Sequence, residues 1–142
     1  MKEASWNDCI DSNSAIKISP DKEKAKSLID IAQGRIEASR EVNEKTVNYV
    51  FEDYYSSLLE LVHAIVLCKG YNVSGHICLG YYLRDILHRE DLFRIFDDCR
   101  YKRNALVYYG RKLDFETVKE SLSKSMLFID ELKKIIKKEL LL

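Results

Sequence analysis

The residues best suited to chemistry lie close together in the stretch Asp97-Asp98-Cys99-Arg100-Tyr101-Lys102-Arg103-Asn104-Ala105-Leu106-Val107-Tyr108-Tyr109-Gly110. Asn104 and Tyr108 are four residues apart and share a helix face, with Arg103 one position round from Asn104. From Arg100 to Lys112 there are five cations, Arg100, Lys102, Arg103, Arg111 and Lys112, and no Asp or Glu. Cations beside an amide and a phenol are equipped to hold a phosphate and hydrogen-bond its ester. The competing interpretation pairs Arg103 with Asp97 or Asp98, leaves the tyrosines at the core edge with their hydroxyls in water, and makes the charge run a solvated face. Both stand at this point.

Other polar groups are weaker candidates. Asp53, beside Tyr54 and Tyr55, is placed to orient the Arg103 cluster or to serve as a solvated helix charge. His63 lies in the apolar run Leu61 to Cys68 and reads as a core histidine. His76 follows Ser74-Gly75 and reads as a helix-start residue in preference to a base, while His88 precedes charged residues and reads as exposed. None has a second ligand at metal spacing, and the four cysteines, Cys9, Cys68, Cys78 and Cys99, lack paired zinc or redox spacing. No metal is expected, and the thiols are expected to be reduced and mostly buried. A glycine-rich phosphate loop and a nucleotidyltransferase Gly-Ser signature are both missing, so no cofactor is expected.

The elements that must position these groups are helices. Ser19-Pro20 reads as an N-cap and first helical residue, followed by Ala25, Leu28, Ile29, Ala32 and Ile36 on one stripe. A second, central helix is expected from about Glu44 to Lys69, stopped by Gly70. A third covers His76 to Leu87, a fourth runs from about Glu90 through Tyr109, and a fifth is capped by Asp114 with its apolar seam running from Phe115 to Ile136. No period-two stretch is long enough for a convincing strand. The spacing therefore predicts an all-α, up-and-down bundle of about five helices over residues 19–142, preceded by an irregular arm over residues 1–18 that Trp6 could anchor.

The chain has 142 residues, 46% of them hydrophobic, which suits a single core, and a net charge of zero, which names no partner. Its first sixty residues are net acidic and the remainder net basic. The sequence shows neither a membrane span nor a leader, so a cytoplasmic location is expected.

A long hydrophobic helix, a short one, then a helix bearing an arginine, Asn and a tyrosine resembles the HEPN family. The match is carried by Asp97 to Gly110, and the helix layout from Ser19 to about Leu140 agrees with it. The Arg-Asn-x-x-x-Tyr-Tyr-Gly stretch resembles the tyrosine-bearing branch, often encoded beside small nucleotidyltransferases. The resemblance implies a component of a defence or toxin–antitoxin module, a homodimer assembled across the Arg103 to Tyr109 face, contacts to RNA or nucleotide, and a nucleotidyltransferase partner that transfers a nucleotide to Tyr108 or Tyr109. It also implies a metal-independent endoribonuclease site, with Arg103, Asn104, Tyr108 and Tyr109 at its centre and Arg100, Lys102, Arg111, Lys112 and Asp53 around it. Here the sequence departs from the family pattern, because tyrosines stand where the nucleases carry a histidine. An unperturbed phenol, with a pKa of about 10, is ionised to roughly one part in a thousand at pH 7, so it is a poor base. Weak cleavage is the expectation, and the other candidate is a non-catalytic helical interaction module.

Overall fold

The computed structural model describes residues 2–108 and 113–140, less the side chains of Val107 and Tyr108. Its order is α1 (Trp6–Asp11), β1 (Ala15–Lys17), α2 (Lys22–Glu37), α3 (Val47–Lys69), β2 (Tyr71–Val73), α4 (His76–Tyr81) continuing as a π turn (Tyr82–Ile86), α5 (Glu90–Tyr108) and α6 (Phe115–Leu140). The expected all-α bundle is what forms. Its central rod is α3, which packs chiefly against α2 and α6. Leu58, Leu61, Ile65, Leu79, Leu83, Leu92, Phe96, Phe128 and Leu132 fill the larger part of the core. A smaller cluster of Val47, Phe51, Tyr55, Cys99 and Val118 closes one end. Burying each large apolar side chain contributes about 1.5–3 kcal/mol, which is why the 3.6-residue stripes decide the arrangement.

Several boundaries differ from expectation for local reasons. Helix α2 begins after Asp21, whose carboxylate accepts from the Lys24 amide at 3.0 Å, and Ser19 is not its cap. The Ile18 and Asp21 amides donate to the carbonyls of Gly70 and Leu67, at 2.8 and 3.0 Å, so residues 18–21 are held against the end of α3. Helix α3 starts at Val47 and not near Glu44, because Asn43 Oδ1 accepts from the Lys45 and Thr46 amides in a turn that competes with helix. The expected single helix from His76 to Leu87 passes into the π turn, with the Leu87 amide donating to the Tyr82 carbonyl at 3.1 Å. Asp114 caps α6 as expected, accepting from the Glu116 amide at 3.0 Å.

Residues 2–18 of the arm form a helix and a strand docked on the bundle, which corrects the reading of it as irregular. Ser5 caps α1 by accepting from the Asp8 amide, and Trp6 is buried edge-on against Tyr71 and Tyr82, with ring centroids 5.2 and 5.0 Å away. Ala15, Ile16 and Lys17 pair antiparallel with Val73, Asn72 and Tyr71, a two-stranded ladder that the sequence did not suggest. Cys9 and Cys78 form a disulfide, so the expectation of four reduced thiols is corrected, while Cys68 and Cys99 are free and buried. Further ties come from Arg84, which donates to the Ala4 carbonyl at 2.9 Å, and from the Tyr81 hydroxyl, which donates to the Glu3 carbonyl at 3.1 Å. Among the described residues no helix is long and apolar enough to cross a membrane.

Candidate functional site

Helix α5 presents Arg100 and Asn104, one turn apart, to a cleft of about 490 Å³. His76 and Ile77 at the start of α4 and Lys2 and Glu3 from the docked arm line the same cleft. Three separate pieces of chain therefore meet here. Glu3 is held in place because its carboxylate accepts from the Ser12 and Ser14 hydroxyls, both at 2.7 Å, and those bonds keep its pKa down at about 2.

Behind the cleft stands Tyr55 of α3, fully buried, its hydroxyl 3.1 Å from His76 Nδ1. Burial raises the phenol well above its ordinary range against the opposing pull of Arg103 and Arg100, so it keeps its proton. The same burial, helped by Arg103, His63 and Arg100, lowers His76, so its imidazole is neutral near pH 7. Among the described residues His76 Nε2 makes no hydrogen bond, while the ring lines the cleft. The Tyr55 hydroxyl can donate or accept, so either tautomer of His76 is supported.

Arg103 does not pair with Asp97 or Asp98. Its guanidinium lies 5.8 Å from the Tyr55 ring centroid and 3.9 Å from Glu52 Oε1, placing it beside Tyr55 while Arg100 and Asn104 take the cleft wall. Asp97 instead takes Arg100, whose Nε and Nη2 reach Oδ1 at 3.1 and 2.9 Å. Asp98 takes Lys102 at 2.8 Å, and Lys102 Nζ also donates to Ser121 Oγ of α6 at 2.6 Å. Asp53 accepts from Ser39 Oγ at 3.2 Å, and it is its neighbour Glu52 that approaches Arg103. Tyr109, Gly110, Arg111 and Lys112 lie outside the described residues, as does the side chain of Tyr108.

The structure thus brings Arg100 and Asn104 together, sets Arg103 close by, and keeps Lys102 on the α6 side. His76, read from the sequence as a helix-start residue and not as a base, does open α4, and it also lines the cleft. Nothing in its spacing links it to α5, since the two meet only through the packing of α4 on α5 and of both on Tyr55 of α3. His63 is half-buried where the sequence suggested a core residue, donating from Nε2 to the Val73 carbonyl at 3.0 Å, and His88 is exposed. Among the described residues no group of three or more His, Cys, Asp or Glu could hold a metal ion.

Chemically, Arg100, Asn104 and Lys2 offer hydrogen-bond donors to an anion, and neutral His76 offers a proton acceptor facing the same space. The Arg100–Asp97 pair is a partly exposed i,i+3 contact, worth about 0–1 kcal/mol, so a phosphate can take Arg100 at little cost. No family model, curated protein or solved structure matches this chain.

Proposed function

We propose that this chain is a HEPN-type component of a defence or toxin–antitoxin module that contacts RNA phosphates through the α5 segment Arg100 to Asn104. In this reading it is a weak, metal-independent endoribonuclease, a homodimer joined across the Arg103 to Tyr109 face, and is controlled by a small nucleotidyltransferase that modifies Tyr108 or Tyr109. The single observation that supports it is the convergence of Arg100 and Asn104 with His76 on one cleft, with Arg103 beside Tyr55 at its back. A phosphodiester fits that wall because guanidinium and amide donors hydrogen-bond its oxygens and an arginine contact is charge-assisted. The cytoplasmic location belongs to the same reading, and the Cys9–Cys78 bond weighs against it, since disulfides persist chiefly in oxidising compartments.

The test is a ribonuclease assay on the wild type and Arg103→Ala in the presence of a chelator, with co-expression of the neighbouring gene followed by intact-mass spectrometry. Chelator-insensitive cleavage lost in Arg103→Ala, together with an added nucleotide on Tyr108 or Tyr109, is the expected result. Cleavage that persists in Arg103→Ala and stops with chelator would show a different site and mechanism. If neither cleavage nor a stable complex is found, the chain is a non-catalytic helical interaction module.

A further inference from the structure

We infer that His76 is the proton-transfer residue of this cleft, acting through Nε2 on the 2′-hydroxyl of a ribose whose phosphate is held by Arg100 and Asn104. This rests on the RNA reading above and supplies what the α5 segment lacks, a base that works near neutral pH. Position carries the argument. His76 lines the same cleft as Arg100 and Asn104, its Nδ1 is engaged 3.1 Å from the Tyr55 hydroxyl, and its Nε2 makes no hydrogen bond among the described residues. A ring held by one nitrogen and open at the other is oriented for proton transfer.

In the tautomer that accepts at Nε2, Nδ1–H donates to the Tyr55 oxygen, so Tyr55 is a positioning residue. The groups facing the ring are Tyr55 and His63 of α3, Arg100 and Arg103 of α5, and Lys2 and Glu3 of the arm. Burial and the two arginines keep the imidazole neutral and available as a base. As the 2′-oxygen bonds to phosphorus its proton passes to Nε2, and the bond from phosphorus to the 5′-oxygen breaks. The departing oxygen takes a proton from a solvent water, and the resulting hydroxide is neutralised by the proton on His76. The products are a 2′,3′-cyclic phosphate and a 5′-hydroxyl, with the enzyme returned to its starting state.

The test uses the full chain, a short single-stranded oligoribonucleotide and its 2′-O-methyl counterpart, which binds but cannot be cleaved. His76→Asn keeps a side-chain N–H able to donate to the Tyr55 oxygen but carries no exchangeable base, and His76→Ala is the second variant. Chelator-insensitive cleavage is expected to fall about 100-fold or more in both, as removal of a general base does. Binding of the 2′-O-methyl oligonucleotide is expected to stay within about threefold of wild type, because the anion contacts remain. Its addition is expected to shift the His76 ring resonances in NMR spectra and leave those of His63 and His88 in place.

Cleavage that survives His76→Asn, or Arg100-dependent binding that leaves the His76 ring unmoved, overturns the role of His76 and leaves the RNA reading standing. Binding that moves the ring without any cleavage by the wild type overturns proton transfer. Absence of oligonucleotide binding overturns the RNA reading, and this inference with it.

Discussion

Replacing Gly70 with alanine tests the left-handed turn that ends α3. Gly70 ends α3 in the left-handed conformation, φ 87° and ψ 42°, and an added Cβ would stand 2.7 Å from the Ile18 carbonyl oxygen and 3.5 Å from the Pro20 ring. A left-handed backbone costs an L-residue about 1–2 kcal/mol. The obstacle is main chain, so it cannot rotate aside. Moving it strains the bonds from the Ile18 amide to the Gly70 carbonyl and from the Asp21 amide to the Leu67 carbonyl, each worth about 1 kcal/mol net. Against this, alanine lowers the entropy of the unfolded chain by about 0.4–1 kcal/mol. Gly70→Ala is therefore expected to destabilise the fold by about 2–4 kcal/mol in urea unfolding followed by far-UV circular dichroism. Gly34→Ala is the internal control. Gly34 is exposed within α2 with no atom within 4 Å of an added Cβ, so that variant is expected to gain about 0.4–1 kcal/mol. A Gly70→Ala loss below about 0.5 kcal/mol, the scatter of ordinary surface substitutions, would refute the reasoning.

The Cys9–Cys78 bond closes a sequence separation of 69 residues, so Cys9→Ser is expected to cost on the order of 2–4 kcal/mol. Thiol titration of the unreduced, denatured chain should find Cys68 and Cys99 alone, and four reactive thiols would exclude the bond. Trp6→Ala is expected to lose about 3–5 kcal/mol and to release the arm to proteolysis, because its buried indole packs on Tyr71 and Tyr82; an unchanged denaturation midpoint would show that the arm is not docked there. His76 is held below its ordinary value of 6.5 by burial and neighbouring cations, so the unfolded chain takes up the proton first. Its contribution to stability is thus fully present above about pH 6.5 and is lost as pH falls below that towards the lower folded value. Urea midpoints between about pH 7 and pH 5 should fall more steeply in the wild type than in His76→Asn, and parallel slopes would contradict the assignment.

The residues along α6 and most of α3 were legible in the sequence because helical period and caps act over a few neighbouring positions. Asp114 caps α6 and Gly70 stops α3 wherever the rest of the chain goes. The Arg103-Asn104 segment was likewise visible as a run of cations and an amide within one helix-period stretch. Tertiary structure decided everything that needed two distant segments to meet. Helix α1 spans only Trp6–Asp11, too short to show a period, and it is set by a disulfide and a buried indole whose partners lie on β2, α4 and the π turn. Asp21 displaced Ser19 as a cap because the end of α3 claimed the amides before it. Among the described residues Arg103 meets Glu52 and Tyr55, across a helix interface, and the local acids Asp97 and Asp98 went to Arg100 and Lys102. His76 gave no sign in its own neighbourhood of facing Arg100 and Asn104. Which polar groups converge depends on how the apolar stripes of α3, α4 and α5 pack, and that packing is a property of the whole core and not of any short stretch of chain.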